Sequence, residues 1–477
     1  MSFNPVLPRS ARILVLSCGA LLTLALPVTQ AQDSASSVDE PRHVILIIGD
    51  GMDDQQITIA RNYLVGATGR LSLDHMALRS SSQILTIEDK VGGAPVYVGD
   101  SANTATTMAS GVLTSRGRVS TAAGSNHPIP TIVEMAEAAG YKTGIVSTAS
   151  VTDATPAAFA THISFRLCEN PETMLDITYK DIHLGDCLNE RKSEGGLGSI
   201  SEQLAESALD VILGGGMKHF NMTAEGNTGT VTALAERNGF QLVTTLDQLA
   251  SATTSRRLLG LFSDSTMPVR LQGENGRLAE SPEPSWLNYI HRYLGDVTQP
   301  EPMTCEANPA FTGMPTLKQM TDAALAHLSH NNSRGFFLMI ESASIDKQSH
   351  ERRPCGSIGE LAQLNEALDS ALAFAEKNPR TLILVTADHA QAAQLIPYES
   401  LFAEFPIPIY TPGKLARIKT PEGRILVVNY ATNNFSYAEH TGANVPLFSN
   451  EEGRGIVPSF IQQAEIFSIS AGYLQLN

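Results

Sequence analysis

The sequence predicts an α/β fold, a three-layer α/β/α sandwich with a large, mostly parallel central sheet and insertions around its rim. Three observations predict it. Six short runs are apolar with little alternation, the pattern of strands buried on both faces. Helical patterns lie between most of them, and alternating strand and helix builds a parallel sheet covered on both sides. Acids and histidines follow several of the runs, and ligands in such sheets gather at the carboxyl ends of the strands.

Taken in order, residues 1–31 read as a cleaved secretory signal peptide. Arg9 and Arg12 precede an apolar run from Ile13 to Pro27, and Thr29-Gln30-Ala31 supplies a small-x-Ala cleavage site. The apolar run continues beyond Cys18, which argues against lipidation there, and no later stretch approaches the roughly 20 apolar residues of a membrane span. Residues 32–42 read as an N-terminal arm, and 43–477 as a single domain. The expected buried strands are His43–Ile48, Lys142–Ser147, Val211–Leu213, Gly335–Ile340, Thr381–Val385 and Arg424–Val428. Pro130–Ala139, stopped by Gly140, and Ile358–Leu368 read as helices. Stretches 220–315 and 395–423 are richer in Pro, Gly and polar residues and read as rim insertions and surface loops.

The formal charge is −16, and loss of Arg9 and Arg12 with the leader makes it −18. That balance disfavours nucleic acid as a partner, and no basic cluster offsets it. Four cysteines remain after the leader: Cys168, Cys187, Cys305 and Cys355. None makes a CxxC pair, and an even count in an exported chain favours disulfides. Three pairings are open. Cys168–Cys187 with Cys305–Cys355 is preferred, because each bridge would tie down a loop beside a motif described next.

Gly99-Asp100-Ser101 opens a helix of small residues, placing a hydroxyl where free N–H groups and the helix dipole favour an anion such as phosphate. Serine is also a favoured helix cap, so Ser101 is informative only through its company. Asp346 and His350 are four apart, which puts both on one face of a helix, as zinc ligands or as an ordinary ion pair. Glu341 ends a buried strand, where a free carboxylate is costly unless a cation, Lys or Arg meets it. Asp388-His389 also ends a strand, Gly49-Asp50-Gly51 follows another, and Glu439-His440 adds a further histidine. Acids and histidines gathered at one rim around a helix-capping serine point to metal-assisted phosphoryl transfer.

Gly-Asp-Gly-Met (49–52), Gly-Asp-Ser-Ala (99–102), Asp-Ala-Thr-Pro (153–156), Ser-Ile-Asp-Lys-Gln-x-His (344–350), Thr-Ala-Asp-His (386–389) and Glu-His-Thr-Gly (439–442) resemble the motifs of the alkaline phosphatases. The likeness is strongest to the bacterial periplasmic type, runs from about residue 43 to 475 and keeps the motifs in family order. It implies two zinc ions and one magnesium. One zinc would take Asp346, His350 and His440. The second would take Asp50, Asp388 and His389 and bind the Ser101 oxygen, while magnesium would share Asp50 and add Thr155 and Glu341. Ser101 and Arg166 would be catalytic, the first becoming a phosphoserine and the second gripping two phosphate oxygens. Asp153, Lys347 and Asp100 would support them, and the preferred disulfide pairing agrees with this branch. The resemblance further implies a homodimer and a periplasmic or secreted location.

Two departures stand out. Gln391 occupies a position where close relatives often have a histidine supporting a zinc ligand, so zinc affinity is expected to fall, on the order of tenfold or more. The segments after Met267-Pro268-Val269-Arg270 and around 430–438 drift from the family pattern, leaving the pocket rim open. The expected activity is hydrolysis of phosphate monoesters. A phosphodiesterase of the same superfamily is the main rival, which Arg166 argues against; a non-catalytic metal- or phosphate-binding protein is a third reading. A sulfatase does not fit, because Ser101-Ala-Asn-Thr lacks the Cys/Ser-x-Pro-x-Arg context that formylglycine requires.

Overall fold

Among the described residues of the computed structural model, nine strands running in one direction and one reversed strand make the main sheet. The structure describes residues 40–179, 181–226, 229–291, 293–399 and 413–476. The expected signal peptide and nearly all of the expected arm therefore lie outside the described residues. In chain order the strands are β1 (Arg42–Gly49), β2 (Leu78–Gln83), β3 (Lys142–Ser150), β4 (Val211–Gly215), β5 (Phe240–Val243), β6 (Arg257–Leu261), β7 (Gly335–Ser342) and β8 (Thr381–Thr386). They continue as β9 (Ala393–Ile396), β10 (Lys414–Lys419), β11 (Ile425–Tyr430), β12 (Val445–Ser449) and β13 (Phe460–Gln462). The central sheet has the order β13-β2-β12-β8-β1-β7-β3-β4-β6-β5. Only β12 is antiparallel to its neighbours.

Alternation explains the two cores. In β1, Ile45 and Ile47 face one apolar cluster while Val44, Leu46 and Ile48 face the other. The first cluster is completed by helices Asp54–Leu64, Leu317–Ser329 and Pro354–Lys377. The second is completed by Ser101–Ser110, Ile132–Ala138, Ile200–Glu206 and Glu465–Leu474. A central strand covered on both faces has no polar side, which is why its sequence lacks alternation.

Five expected strands appear in the sheet, and the sixth does not. Arg424–Val428 becomes β11, the middle of a separate antiparallel sheet, β9-β11-β10. Its apolar run reflects packing of Val428 and Tyr430 against the first core, and burial alone cannot tell a parallel strand from an antiparallel one. The stretch 220–315 is also more than a rim insertion. Its early part supplies β5 and β6, because Leu258, Leu259 and Leu261 are as buried as any central strand. Arg42, the last residue of the expected arm, pairs with Gly335 at the start of β1. The helix expected over Ile358–Leu368 extends to Pro354–Lys377. Both disulfides form as preferred, Cys168–Cys187 and Cys305–Cys355.

Candidate active site

Ser101 begins the helix Ser101–Ser110 directly after the turn Gly99-Asp100. Asp100 is the cap: its Oδ1 accepts from Asn103 N at 3.2 Å, and Asn103 Oδ1 accepts from Asp100 N at 2.8 Å. All ten residues of the helix are buried, which its small side chains permit, and Gly111 closes it at φ 74°. The Ser101 hydroxyl lies 3.2 Å from His389 Nε2. His389 follows β8, Asp50 follows β1, Glu341 lies near the end of β7, and Asp153 and Thr155 follow β3, so the carboxyl-end rim is where these side chains meet. His440 reaches that rim from the opposite direction. It precedes β12, whose reversed direction puts its start where the parallel strands end.

Two sets of ligand-type atoms converge. Asp346, His350 and His440 form one, and Asp50, Asp388 and His389 the other; within each set the atoms lie within 4.8 Å of one another. Asp346 Oδ2 lies 3.3 Å from His350 Nε2, and Asp346 Oδ1 lies 3.3 Å from His440 Nε2. Each imidazole is oriented from behind: His350 Nδ1 donates to Ala438 O at 2.5 Å and His440 Nδ1 to Gly99 O at 3.0 Å. Because a carbonyl only accepts, Nδ1 carries a hydrogen in each ring and Nε2 is the atom turned inward, with a lone pair for a cation once the ring is neutral. In the second set, His389 Nε2 is 3.4 Å from Asp50 Oδ1 and 3.3 Å from Asp388 Oδ2. Gly51 N donates to Asp388 Oδ1 at 3.0 Å, fixing that carboxylate from the β1 turn.

Buried oxygens with no donor test whether cations fit here. Asp50 Oδ1, Asp388 Oδ2 and Thr155 Oγ1 are inaccessible and meet no hydrogen-bond partner among the described residues. Orphaned buried oxygens of this kind suit hard or borderline cations. The electrostatics agree. Burial, with Asp346, Asp388 and Glu341 nearby, pushes Asp50 well above the ordinary carboxylate range. Burial pushes Glu341 up to about 8 and Asp388 up to about 6. Burial disfavours charge on His440, yet the bond to Asp346 outweighs it and raises its pKa to about 9. Without cations, ionising these carboxyls would crowd like charge into a dry site, so burial keeps protons on them instead.

Asp153 links the remaining predicted residues. Its Oδ1 accepts from Arg166 Nη2 at 2.8 Å, and its Oδ2 takes Lys347 Nζ as partner. Burial opposes its ionisation, but Lys347 and Arg166 hold it below the usual carboxylate range. Arg166 Nη1 also lies 3.4 Å from Asp100 Oδ2, so acids flank the guanidinium on both sides. Gln391 supports Asp346 after all: its Nε2 donates to Asp346 Oδ1 at 2.5 Å, and its Oε1 accepts from Ala392 N at 2.7 Å. Sequence reasoning missed Asp53, which caps the helix Asp54–Leu64 and accepts from Gln391 N at 3.3 Å. The Asp-x-x-Gln pattern was its only signal. It also missed Ser147, whose hydroxyl donates to Glu341, for which no signal exists.

Residues 41–470 match the model of the alkaline phosphatase family, nine-tenths of the chain. The chain belongs to the alkaline phosphatase family. Alkaline phosphatase of Escherichia coli (strain K12) is 38% identical over 445 residues, 91% of this chain and 86% of that protein. Streptomycin-6-phosphate phosphatase of Streptomyces griseus is 38% identical over 447 residues, 90% of this chain and 91% of that protein. The solved alkaline phosphatase of the Antarctic bacterium TAB5 shares the fold, with a TM-score of 0.64 at 24% identity over 92% of this chain and 99% of that one. This alkaline phosphatase is a phosphomonoesterase, and its family is metal-dependent.

Proposed function

We propose that the chain hydrolyses phosphate monoesters through a phosphoserine on Ser101, with two zinc ions and one magnesium ion held at the rim of the sheet. The observation that carries this reading is the Ser101 hydroxyl, 3.2 Å from His389 Nε2 at a helix N-terminus beside both ligand sets. Asp346, His350 and His440 would hold one zinc; Asp50, Asp388 and His389, with the Ser101 oxygen, the other. Asp50, Thr155 and Glu341 would hold magnesium, which suits all-oxygen ligands. When bound, the cations supply charge stabilisation for the oxygens entering and leaving phosphorus and favour the ionised nucleophile.

The chain's own groups do the rest. Ser101 Oγ bonds to phosphorus as the ester P–O bond breaks, and the serine proton ends on the released alcohol; water later cleaves the phosphoserine, restoring the hydroxyl and releasing inorganic phosphate. The helix N-terminus and Arg166 meet charge on the equatorial oxygens. Asp153 and Asp100 orient the Arg166 guanidinium, and Lys347 keeps Asp153 ionised. The donor fork suits a dianionic monoester, which carries one more non-bridging oxygen and one more negative charge than a diester. A leader at 1–31, an arm at 32–42, one catalytic domain over 43–477, export to the periplasm or medium, and a homodimer complete the proposal.

The test is initial rates on an aryl phosphate monoester and its matching diester at alkaline pH with zinc and magnesium supplied, for wild type and Arg166→Ala. A monoester preference of several orders of magnitude that shrinks in the variant is the expected result. Equal rates on both esters in the wild type would overturn the role given to Arg166.

A further inference from the structure

Arg352 is a large, charged residue in the wrong place for one. Its side chain is essentially inaccessible, and its backbone adopts φ +59°. It follows the helix Ser344–His350, which carries Asp346, Lys347 and His350. Arg353 N donates to Gln348 O at 2.8 Å and Arg352 N to Ser349 O at 3.0 Å. These two bonds are the Schellman ending of a helix, in which the left-handed position normally belongs to glycine because a Cβ there is strained. Here an arginine occupies it, with no described carboxylate paired to its buried charge. Strain and a buried cation at one residue call for a compensating role.

The guanidinium shows what that role is. Nη1 donates to Ser436 O at 2.8 Å, while Nη2 donates to Asn433 O at 3.3 Å and to Asn433 Oδ1 at 3.1 Å. Asn433 Oδ1 also accepts from Phe435 N at 3.1 Å, so the fork gathers the turn 433–436 around itself. Two residues on, Ala438 is bonded twice to His350. Its carbonyl accepts from Nδ1 at 2.5 Å, and its N donates to His350 O at 2.9 Å. The same segment then delivers His440. Arg352 thus ties the end of the helix that bears Asp346 and His350 to the loop that orients His350 and bears His440.

We propose that Arg352 is a positioning residue for the Asp346–His350–His440 set: its buried fork holds the 433–438 segment so that both imidazoles present Nε2 toward Asp346. It touches neither substrate nor ion. The inference rests on reading those three residues as zinc ligands.

The experiment uses the full chain loaded with zinc and magnesium and follows zinc release to a chromogenic chelator. Arg352→Gly is the informative variant, because glycine removes the backbone strain while deleting the fork. Arg352→Lys keeps one buried donor, and Asn433→Ala removes one acceptor. Zinc should leave one site on the order of tenfold faster in Arg352→Gly, and by a smaller factor in the other two, with release from the second site unchanged. A merely structural role would leave both phases alone or speed them equally, and either result overturns the proposal. Should Arg352→Gly fail to fold, Arg352→Lys and Asn433→Ala decide by the same criterion. His350→Ala separates the underlying reading. If it retains full zinc stoichiometry, the ligand assignment itself fails; if it loses zinc while Arg352→Gly releases at wild-type rates, only the clamp fails.

Discussion

Ser101 combines two properties that rarely coincide, a hydroxyl inaccessible enough to be dry and a helix N-terminus that welcomes negative charge. Replacing it with alanine should leave the helix in place, since Asp100 and not Ser101 makes the cap. Activity is therefore expected to fall about a thousandfold or more in Ser101→Ala while zinc and magnesium content stays near that of wild type. Steady-state rates and elemental analysis of the same preparation check this; retained turnover would remove Ser101 as nucleophile. Several residues at this scale were readable in the chain, because Asp50, Asp153, Asp388 and His389 follow apolar strands within a few positions. Ser147 and the Ala438 carbonyl were not. Neither residue type nor spacing marks a hydroxyl or a carbonyl that turns toward a neighbour brought close only by folding.

Among the elements, the two disulfides pin different parts of the site. Cys168–Cys187 spans 19 residues and fastens the loop that follows Arg166, whereas Cys305–Cys355 spans 50 and anchors the start of the helix Pro354–Lys377. If loop closure dominates, removing the longer one should cost about 4 kcal/mol and the shorter about 3 kcal/mol. Urea unfolding of the paired Cys→Ala variants measures both. Loss of Cys168–Cys187 should also raise KM through Arg166, an effect not expected from Cys305–Cys355. Strands were legible wherever both faces are buried, as in β1, β7 and β8. β11 misled because one well-covered face in a small sheet leaves nearly the same apolar run. β5 and β6 escaped notice because Phe240–Val243 and Arg257–Leu261 are short and set among polar residues.

For the molecule as a whole, the acids at the rim link stability to cations and pH. With its cations stripped, the folded chain keeps a proton on Glu341 up to about 8, whereas the unfolded chain releases it near 4.5. The folded state thus holds more protons in that window, and stability falls as pH rises. His440 acts in the same direction: its raised pKa adds stability that is complete below 6.5 and is lost as pH rises through about 9. Asp153, held low by Lys347 and Arg166, contributes throughout this range and fails only in acid. The gap in Tm between the cation-loaded and chelated protein should therefore widen from pH 6 to pH 9, and calorimetry in each state tests it. A constant gap would mean that these groups do not carry the cation linkage. The α/β class, the strands with two buried faces, the capped serine and the motif residues are all written in local patterns, because burial and capping act through neighbours in the chain. Folding alone brings β12 in backward to carry His440 to the rim, sets Gln391 on Asp346, and closes Arg352 on the 433–436 turn. Those depend on contacts between segments far apart in the chain, whose geometry no local pattern encodes.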